Sequence, residues 1–182
     1  MSRFDEIVQQ VNKKFKQEII TQGVKDLEIK RIPFSSPYLN YMTHGGFPRA
    51  RTVEFFGEEN GGKTTTAIDI VANAQKVFKQ EWEQQLEALK NSTNKTDRAR
   101  YEQLLQQGAL KIVYFDLEVS FDTAWATKLG VDVNENFWLV RPAEGQSAEE
   151  ILNIVVDMLA SNEVGLIVVD SIPSLEPENQ MN

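Results

Sequence analysis

Gly57-Glu58-Glu59-Asn60-Gly61-Gly62-Lys63-Thr64 is the stretch that decides the fold. It fits the phosphate-loop pattern G-x-x-x-x-G-K-[ST]. Chance alone produces that pattern in roughly one chain of this length in a hundred or two, so the flanks decide between a phosphate loop and an ordinary glycine-rich turn. Upstream, Thr52-Val53-Glu54-Phe55-Phe56 is β-branched and aromatic and predicts a strand. Downstream, Ala67, Ile68, Ile70 and Val71 follow Thr64-Thr65-Thr66 at helical spacing. Strand, glycine-rich turn and helix form the setting the motif needs. Gly57, Gly61 and Gly62 let the backbone wrap a phosphate with no Cβ in the way. Backbone amides of Glu58, Glu59, Asn60, Lys63, Thr64 and Thr65 then supply donors at a helix N-terminus. Lys63 brings a point charge to the phosphates, and the Thr64 hydroxyl is placed for Mg²⁺.

Further out, the pattern is an alternation of strands and helices. The helix after the loop keeps its apolar spacing through Phe78, Trp82, Leu86 and Leu89 to about Lys90. Asn91-Ser92-Thr93-Asn94-Lys95 breaks it, Thr96 or Asp97 caps a second helix, and Gly108 closes that helix. Residues 79–108 thus read as a helical hairpin projecting from the domain. Leu110–Phe115 reads as a strand ending in Asp116-Leu117-Glu118. Asp122 caps a short helix from Thr123 to Leu129 that stops at Gly130. Phe137–Val140 is a further strand, and Ser147 with Glu150 makes a capping box for the next helix. Val164–Val169 is a continuous apolar run, read as a central parallel strand buried on both faces. The fold class is α/β with a mostly parallel sheet flanked by helices.

Ligands of such sheets sit at the carboxyl ends of the strands. Asp170 ends the most apolar strand, at the position for a Mg²⁺-holding carboxylate. Asp116 and Glu118 end another, and either can face the γ-phosphate as the base that activates water. Spacing does not choose between them.

The N-terminal segment stands apart. Ser2 and Asp5 resemble a capping box, and Phe4, Ile7, Val8, Val11 and Phe15 make one apolar stripe of an amphipathic helix. That stripe packs either on its own domain or on a neighbouring subunit. A short strand is expected over Glu18–Gln22, ending at Gly23, and another over Leu27–Ile32. Tyr38–Met42 reads as a short helix. His44 is a loop residue. Arg49 and Arg51 either flank the nucleotide or sit at the surface, and the surface is the favoured reading.

Composition bounds the rest. The 182 residues suit one domain, divided here into an N-terminal helix and strand (1–32) and an ATPase-like core (33–182). At 41% hydrophobic and 25% charged residues, the chain has the make-up of a globular protein. No apolar run reaches membrane-span length, and the first residues lack the apolar stretch of a signal peptide. No membrane partner is expected, and a cytoplasmic setting fits. With no cysteine and one histidine, disulfides, thiolate metal sites and histidine-rich metal sites are excluded. A net charge of −8 argues against a globally basic nucleic-acid binder while leaving room for a local basic patch.

These residues together resemble the RecA-type recombinases, most of all the bacterial and phage RecA-like proteins. Gly45-Gly46-Phe47-Pro48 and Arg51–Gly57 are similar to the family's approach to its phosphate loop. Tyr114–Glu118 through Asp122, then Lys128-Leu129-Gly130-Val131-Asp132, are similar to its catalytic-glutamate segment. Leu166–Ser171 resembles its Walker B strand. The resemblance implies a P-loop NTPase of RecA-like fold that binds ATP and Mg²⁺. It implies Lys63 and Thr64 as phosphate and Mg²⁺ ligands, Glu118 as general base and Asp170 as the Walker B carboxylate. Asp122 falls where the family contacts the adenine edge, and Trp125 where it stacks a tyrosine on adenine; core packing is the other reading of Trp125. The implied partners are single-stranded DNA and further copies of the chain, joined in a filament or ring through the N-terminal helix and Ile19-Ile20. The implied setting is a bacterial cell or a phage-infected host. Two departures stand out. The hairpin is longer than the family's connection at that place, and Asn182 follows Asp170 by only twelve residues, so the family's DNA-binding loops would lie beyond it. A RecA-fold nucleotide-binding interaction module without DNA activity, and a helicase-type or clock-type motor of the same fold, are the rival expectations.

Overall fold

In a computed structural model, the structure describes residues 2–15, 20, 29–143 and 145–180. The expected strand over Glu18–Gln22 lies outside the described residues except for Ile20, a bend whose backbone bonds to the Asn12 side chain, and the start of the one over Leu27–Ile32 lies outside them too. The chain divides into two units, residues 1–30 and 31–182.

In the first unit, α1 spans Arg3–Phe15. The expected capping box forms in both directions. The Asp5 amide donates to Ser2 Oγ at 3.2 Å, and the Ser2 amide donates to the Asp5 carboxylate at 2.8 Å. Phe4 and Ile7 on this helix are exposed.

The second unit holds the rest. A two-residue ladder pairs β1 (Arg31–Ile32) with β2 (Phe47–Pro48), antiparallel. Between them lies α2 (Pro37–Met42), capped by Ser36. Helix α3 runs Lys63–Leu89 and α4 runs Lys95–Gln107. Then come β3 (Lys111–Asp116), α5 (Thr123–Lys128), β4 (Phe137–Val140), α6 (Ala148–Ala160) and β5 (Val164–Asp170). The three longer strands make a parallel sheet in the order β4-β3-β5.

Parallel strands need cover on both faces because their crossovers carry helices. On one face, Ile68, Val71, Ala74 and Phe78 of α3 pack with Ile112, Tyr114, Leu166 and Val168. On the other, Ile151, Ile154 and Met158 of α6 pack with Val113, Phe115, Ile167 and Val169. Contact on the α3 face is tight at Gly165: a Cβ there would lie 2.6 Å from the Phe78 ring, so glycine is required for β5 to seat on the helix.

Two expectations are corrected. Thr52–Phe56 forms no strand among the described residues. It is exposed throughout, with Phe56 at 87%. β-branched and aromatic residues favour a pleated surface, but a strand exists only where a partner satisfies its backbone, and none pairs with this segment. Likewise, among the described residues β5 is an edge strand, and the central position belongs to β3, where Ile112 and Phe115 are fully buried. The apolar run in β5 records helices on both of its faces, not strands on both of its edges.

The hairpin forms as expected, but Asn94, not Thr96 or Asp97, caps α4 by accepting from the Thr96 amide at 2.9 Å. Asp97 instead accepts from the Ser92 hydroxyl at 2.6 Å. The Trp82 indole joins the two helices by donating to the Leu104 carbonyl at 2.8 Å. Arg49 is not a loose surface residue. It binds Glu81 of α3 through one guanidinium nitrogen at 2.7 and 2.8 Å and lies 5.0 Å over the Phe78 ring. No helix among the described residues is long and apolar enough to cross a membrane.

Candidate functional site

Gly62 stands at the N-cap of α3 with φ +83°, a left-handed conformation suited to glycine, and its lack of a side chain leaves the helix end uncapped. The first turn of α3 carries no acidic residue. Its leading amides therefore keep their donor capacity and the positive end of the helix dipole, which together attract an anion. The loop before it is tight. The Gly61 amide donates to the Glu58 carbonyl at 3.2 Å, and Asn60 has φ +60°. Glu58, Glu59 and Asn60 are exposed.

Lys63 folds back over this loop. Its ammonium donates to the carbonyls of Gly57 at 2.9 Å and Glu58 at 2.8 Å. An ammonium has three donors, so the charge sits inside the loop with one more hydrogen bond to give. Thr65, next to Thr64 on the first turn, is exposed.

The sheet brings the second component. Thr64 Oγ1 donates to Asp170 Oδ2 at 2.9 Å, joining the start of α3 to the end of β5 across 106 residues of sequence. Tyr114 of β3 donates to the same oxygen at 2.6 Å. Asp170 Oδ1 accepts no hydrogen bond from any described residue. A threonine hydroxyl and a carboxylate are hard oxygen donors. They suit Mg²⁺, which takes one or two protein ligands and fills its remaining positions with water and phosphate oxygens. Consistent with so sparse a donor set, no cluster of three or more His, Cys, Asp or Glu side chains exists among the described residues.

The two carboxylates that spacing left open separate cleanly. Asp116 is 1% exposed, and its oxygens are taken. Oδ1 accepts the Ser120 amide at 2.9 Å; Oδ2 accepts the Phe121 amide at 3.1 Å and Arg141 Nε at 3.0 Å. It pins the turn after β3. Glu118 is exposed two residues on, and its Oε1 accepts from the Ser171 hydroxyl. Of the pair, Glu118 is the one reachable by water and held beside the end of β5.

Asp122 caps α5, accepting the Trp125 amide at 3.0 Å. Trp125 is 44% exposed and so is not a core residue. Among the described residues neither is joined to the glycine-rich loop or to Asp170 by a hydrogen bond or ring contact. Thr64 and Asp170 are joined at the end of β5 and Glu118 is held to Ser171 beside it, while Lys63 is held to its own loop and Asp122 and Trp125 stand on a separate helix start.

Sequence reading missed Tyr114, Ser171 and Arg141. Tyr114 left a faint signal, a lone phenol within the apolar strand Lys111–Phe115. Burial first, then its bond to the Asp170 carboxylate and the nearby charges of Asp116 and Glu118, push its hydroxyl far above the usual phenol range. It remains a donor at any physiological pH.

The chain matches the family model described as RecA N-terminal domain over residues 2–82 and 91–182. The unmatched residues 83–90 are the far end of α3 and the residue after it. Among curated proteins it is similar to Protein RecA of Bacteroides thetaiotaomicron, 31% identical over 177 residues. That alignment covers 96% of this chain and 43% of the relative. Protein RecA of Aquifex aeolicus is 32% identical over 161 residues, covering 88% of the chain and 36% of the relative. Protein RecA of Mycoplasmopsis pulmonis is 30% identical over 178 residues, covering 96% and 42%. The chain spans less than half the length of these relatives.

Proposed function

The chain belongs to the RecA family, matching its N-terminal domain model over residues 2–82 and 91–182, and on that premise we propose that it is the ATP-binding and hydrolysing portion of a RecA-like DNA recombinase. The observation that carries this reading is the Thr64–Asp170 hydrogen bond, which joins the residue after Lys63 to the carboxylate at the end of β5.

In this reading the α3 amides and Lys63 bind the β- and γ-phosphates, with Lys63 exchanging its loop carbonyls for phosphate oxygens. Thr64 and Asp170 hold Mg²⁺, which when bound neutralises charge on the phosphates. Glu118 accepts a proton from the attacking water, and the Ser171 hydroxyl orients its carboxylate. Asp122 and Trp125 serve the adenine, the half-exposed indole supplying a stacking face. Self-association and single-stranded DNA complete the proposal. Phe4 and Ile7, exposed on α1, support a contact with a further copy of the chain.

Binding of a fluorescent ATP analogue tests the site. A hydrogen bond to a charged group contributes about 1.5–3 kcal/mol, so Lys63→Ala should weaken binding roughly ten- to hundredfold. Unchanged affinity refutes the reading. A second reading is a RecA-fold nucleotide-binding module that docks a protein partner and leaves DNA alone. It is favoured by the −8 net charge. Titration with single-stranded DNA over a salt series separates the two, because phosphate contacts release counterions and make affinity fall with salt.

A further inference from the structure

We propose that Tyr114 is a positioning residue that holds the Asp170 carboxylate in place for the metal of the nucleotide site. The proposal rests on the reading of Asp170 as a Mg²⁺ ligand.

The placement follows from the sheet. Tyr114 sits on β3, paired in register with Val168 of β5, and Asp116 pairs with Asp170. Side chains alternate along strands, so Tyr114, Asp116, Val168 and Asp170 share the α3 face. A phenol is long enough to pass from the level of Val168 to that of Asp170, and its hydroxyl reaches Oδ2 at 2.6 Å.

The ring is clamped. Phe121 lies 4.9 Å away and Phe137 6.5 Å away, and these two stack on each other at 5.5 Å. Phe121 is itself tied down through its amide, which donates to Asp116. Tyr114 is 1% exposed, so its hydroxyl has little freedom to turn to solvent. A buried hydroxyl must find an acceptor, and here the acceptor is the one carboxylate that also takes Thr64. Phenylalanine would fill the same ring position without a polar group to satisfy. The hydroxyl therefore contributes to Asp170 and not to packing.

Two donors converge on Oδ2, from Thr64 and from Tyr114. A carboxylate held at one oxygen by two donors loses its rotational freedom and leaves Oδ1 for a metal or a metal-bound water. Such outer partners of metal-holding groups matter strongly, changing affinity about 10–100-fold. The neighbouring Asp116 does not compete as a second charge, because Arg141 and two amides neutralise and occupy it.

The test is a magnesium titration of nucleotide binding with the full 182-residue chain, comparing the unsubstituted protein, Tyr114→Phe and Asp170→Asn. Tyr114→Phe should raise the Mg²⁺ concentration for half-maximal binding about tenfold. Its nucleotide affinity in EDTA and its thermal midpoint should stay at the unsubstituted values, which a merely structural role for the hydroxyl would not allow. An unshifted magnesium midpoint in Tyr114→Phe, with Asp170→Asn shifted, overturns the role of Tyr114 and leaves the metal reading standing. An unshifted midpoint in Asp170→Asn overturns the metal reading first and the role of Tyr114 with it. Should the phenylalanine variant not fold, ¹³Cζ-tyrosine NMR of the unsubstituted chain decides. The Tyr114 signal, assigned as the one that survives replacement of Tyr38, Tyr41 and Tyr101 by phenylalanine, should move when Mg²⁺ joins the nucleotide complex; a fixed signal overturns the proposal.

Discussion

Asp116 and Asp170 are the same residue type at the ends of adjacent parallel strands, paired in register on one face of the sheet. Their surroundings differ in one chemical respect. Asp116 is held by two peptide amides and a guanidinium, and it is buried. Asp170 is held by two hydroxyls and keeps one oxygen without a protein donor among the described residues. Amides are fixed by the backbone, so a carboxylate that accepts them is committed to holding a turn. Side-chain hydroxyls bring no such commitment, so a carboxylate held by them at one oxygen is oriented and can still take a new partner at the other. Glu118, bound by the Ser171 hydroxyl, falls with Asp170; Asp5, bound by the Ser2 amide, falls with Asp116.

The largest effect expected from this division is on turnover. Glu118→Gln should leave folding and nucleotide binding intact and lower ATP hydrolysis about 10²–10⁴-fold, the usual worth of a positioned base. Steady-state hydrolysis beside equilibrium binding checks it; persistent turnover would move Glu118 out of the exchangeable class. Next comes stability. Asp116→Ala strands a buried amide and unpairs Arg141, which should lower the unfolding free energy by about 2–4 kcal/mol. Asp170→Ala strands the buried Tyr114 hydroxyl but no backbone amide and no ion pair, and should cost less, about 1–2 kcal/mol. Urea melts of the two variants side by side would break the comparison if the order reversed.

The smallest effect concerns pH. The backbone amide of Ser2, then its hydroxyl, hold the Asp5 carboxyl below its ordinary 3.8. A depressed acid stabilises its structure above the unfolded value and loses that contribution as pH falls through the folded one. The α1 cap should therefore be intact above about pH 4 and fade in more acidic solution. An NMR titration midpoint for Asp5 at or above 3.8 would remove it from the amide-held group.

What sequence made legible was whatever depends on near neighbours. The helix after Gly62, the capping boxes at Ser2 and Ser147, the Asp122 cap and the strand ends at Asp116 and Asp170 are all local patterns, and all formed. The failures needed a partner distant in the chain. Thr52–Phe56 has strand chemistry and no strand to pair with. Val164–Val169 shows two covered faces in its composition, but nothing local tells an edge from a centre. Spacing left Asp116 and Glu118 equal because the arginine that distinguishes them, Arg141, arrives from the end of β4. Tyr114 escaped notice because its meaning depends on Asp170, 56 residues later. Even the α4 cap missed by a few positions, since Asn94, Thr96 and Asp97 are all good capping residues and only the backbone geometry selects among them.

Helix α3 has a mechanical consequence. It is one unbroken helix of 27 residues that starts at Lys63 and ends at the hairpin turn. At 1.5 Å per residue it is a rod about 40 Å long. Its buried residues run from Ala67 to Phe78, so the near half is clamped to the sheet behind the glycine-rich loop, and Glu81 adds a tie to Arg49. Beyond that tie the helix is a cantilever. Bending of the free half moves the hairpin tip and leaves the hydrogen bonds at Lys63 in place. The segment without a counterpart in the family model, residues 83–90, lengthens that cantilever by about 10 Å. It carries the hairpin tip farther from the clamped half.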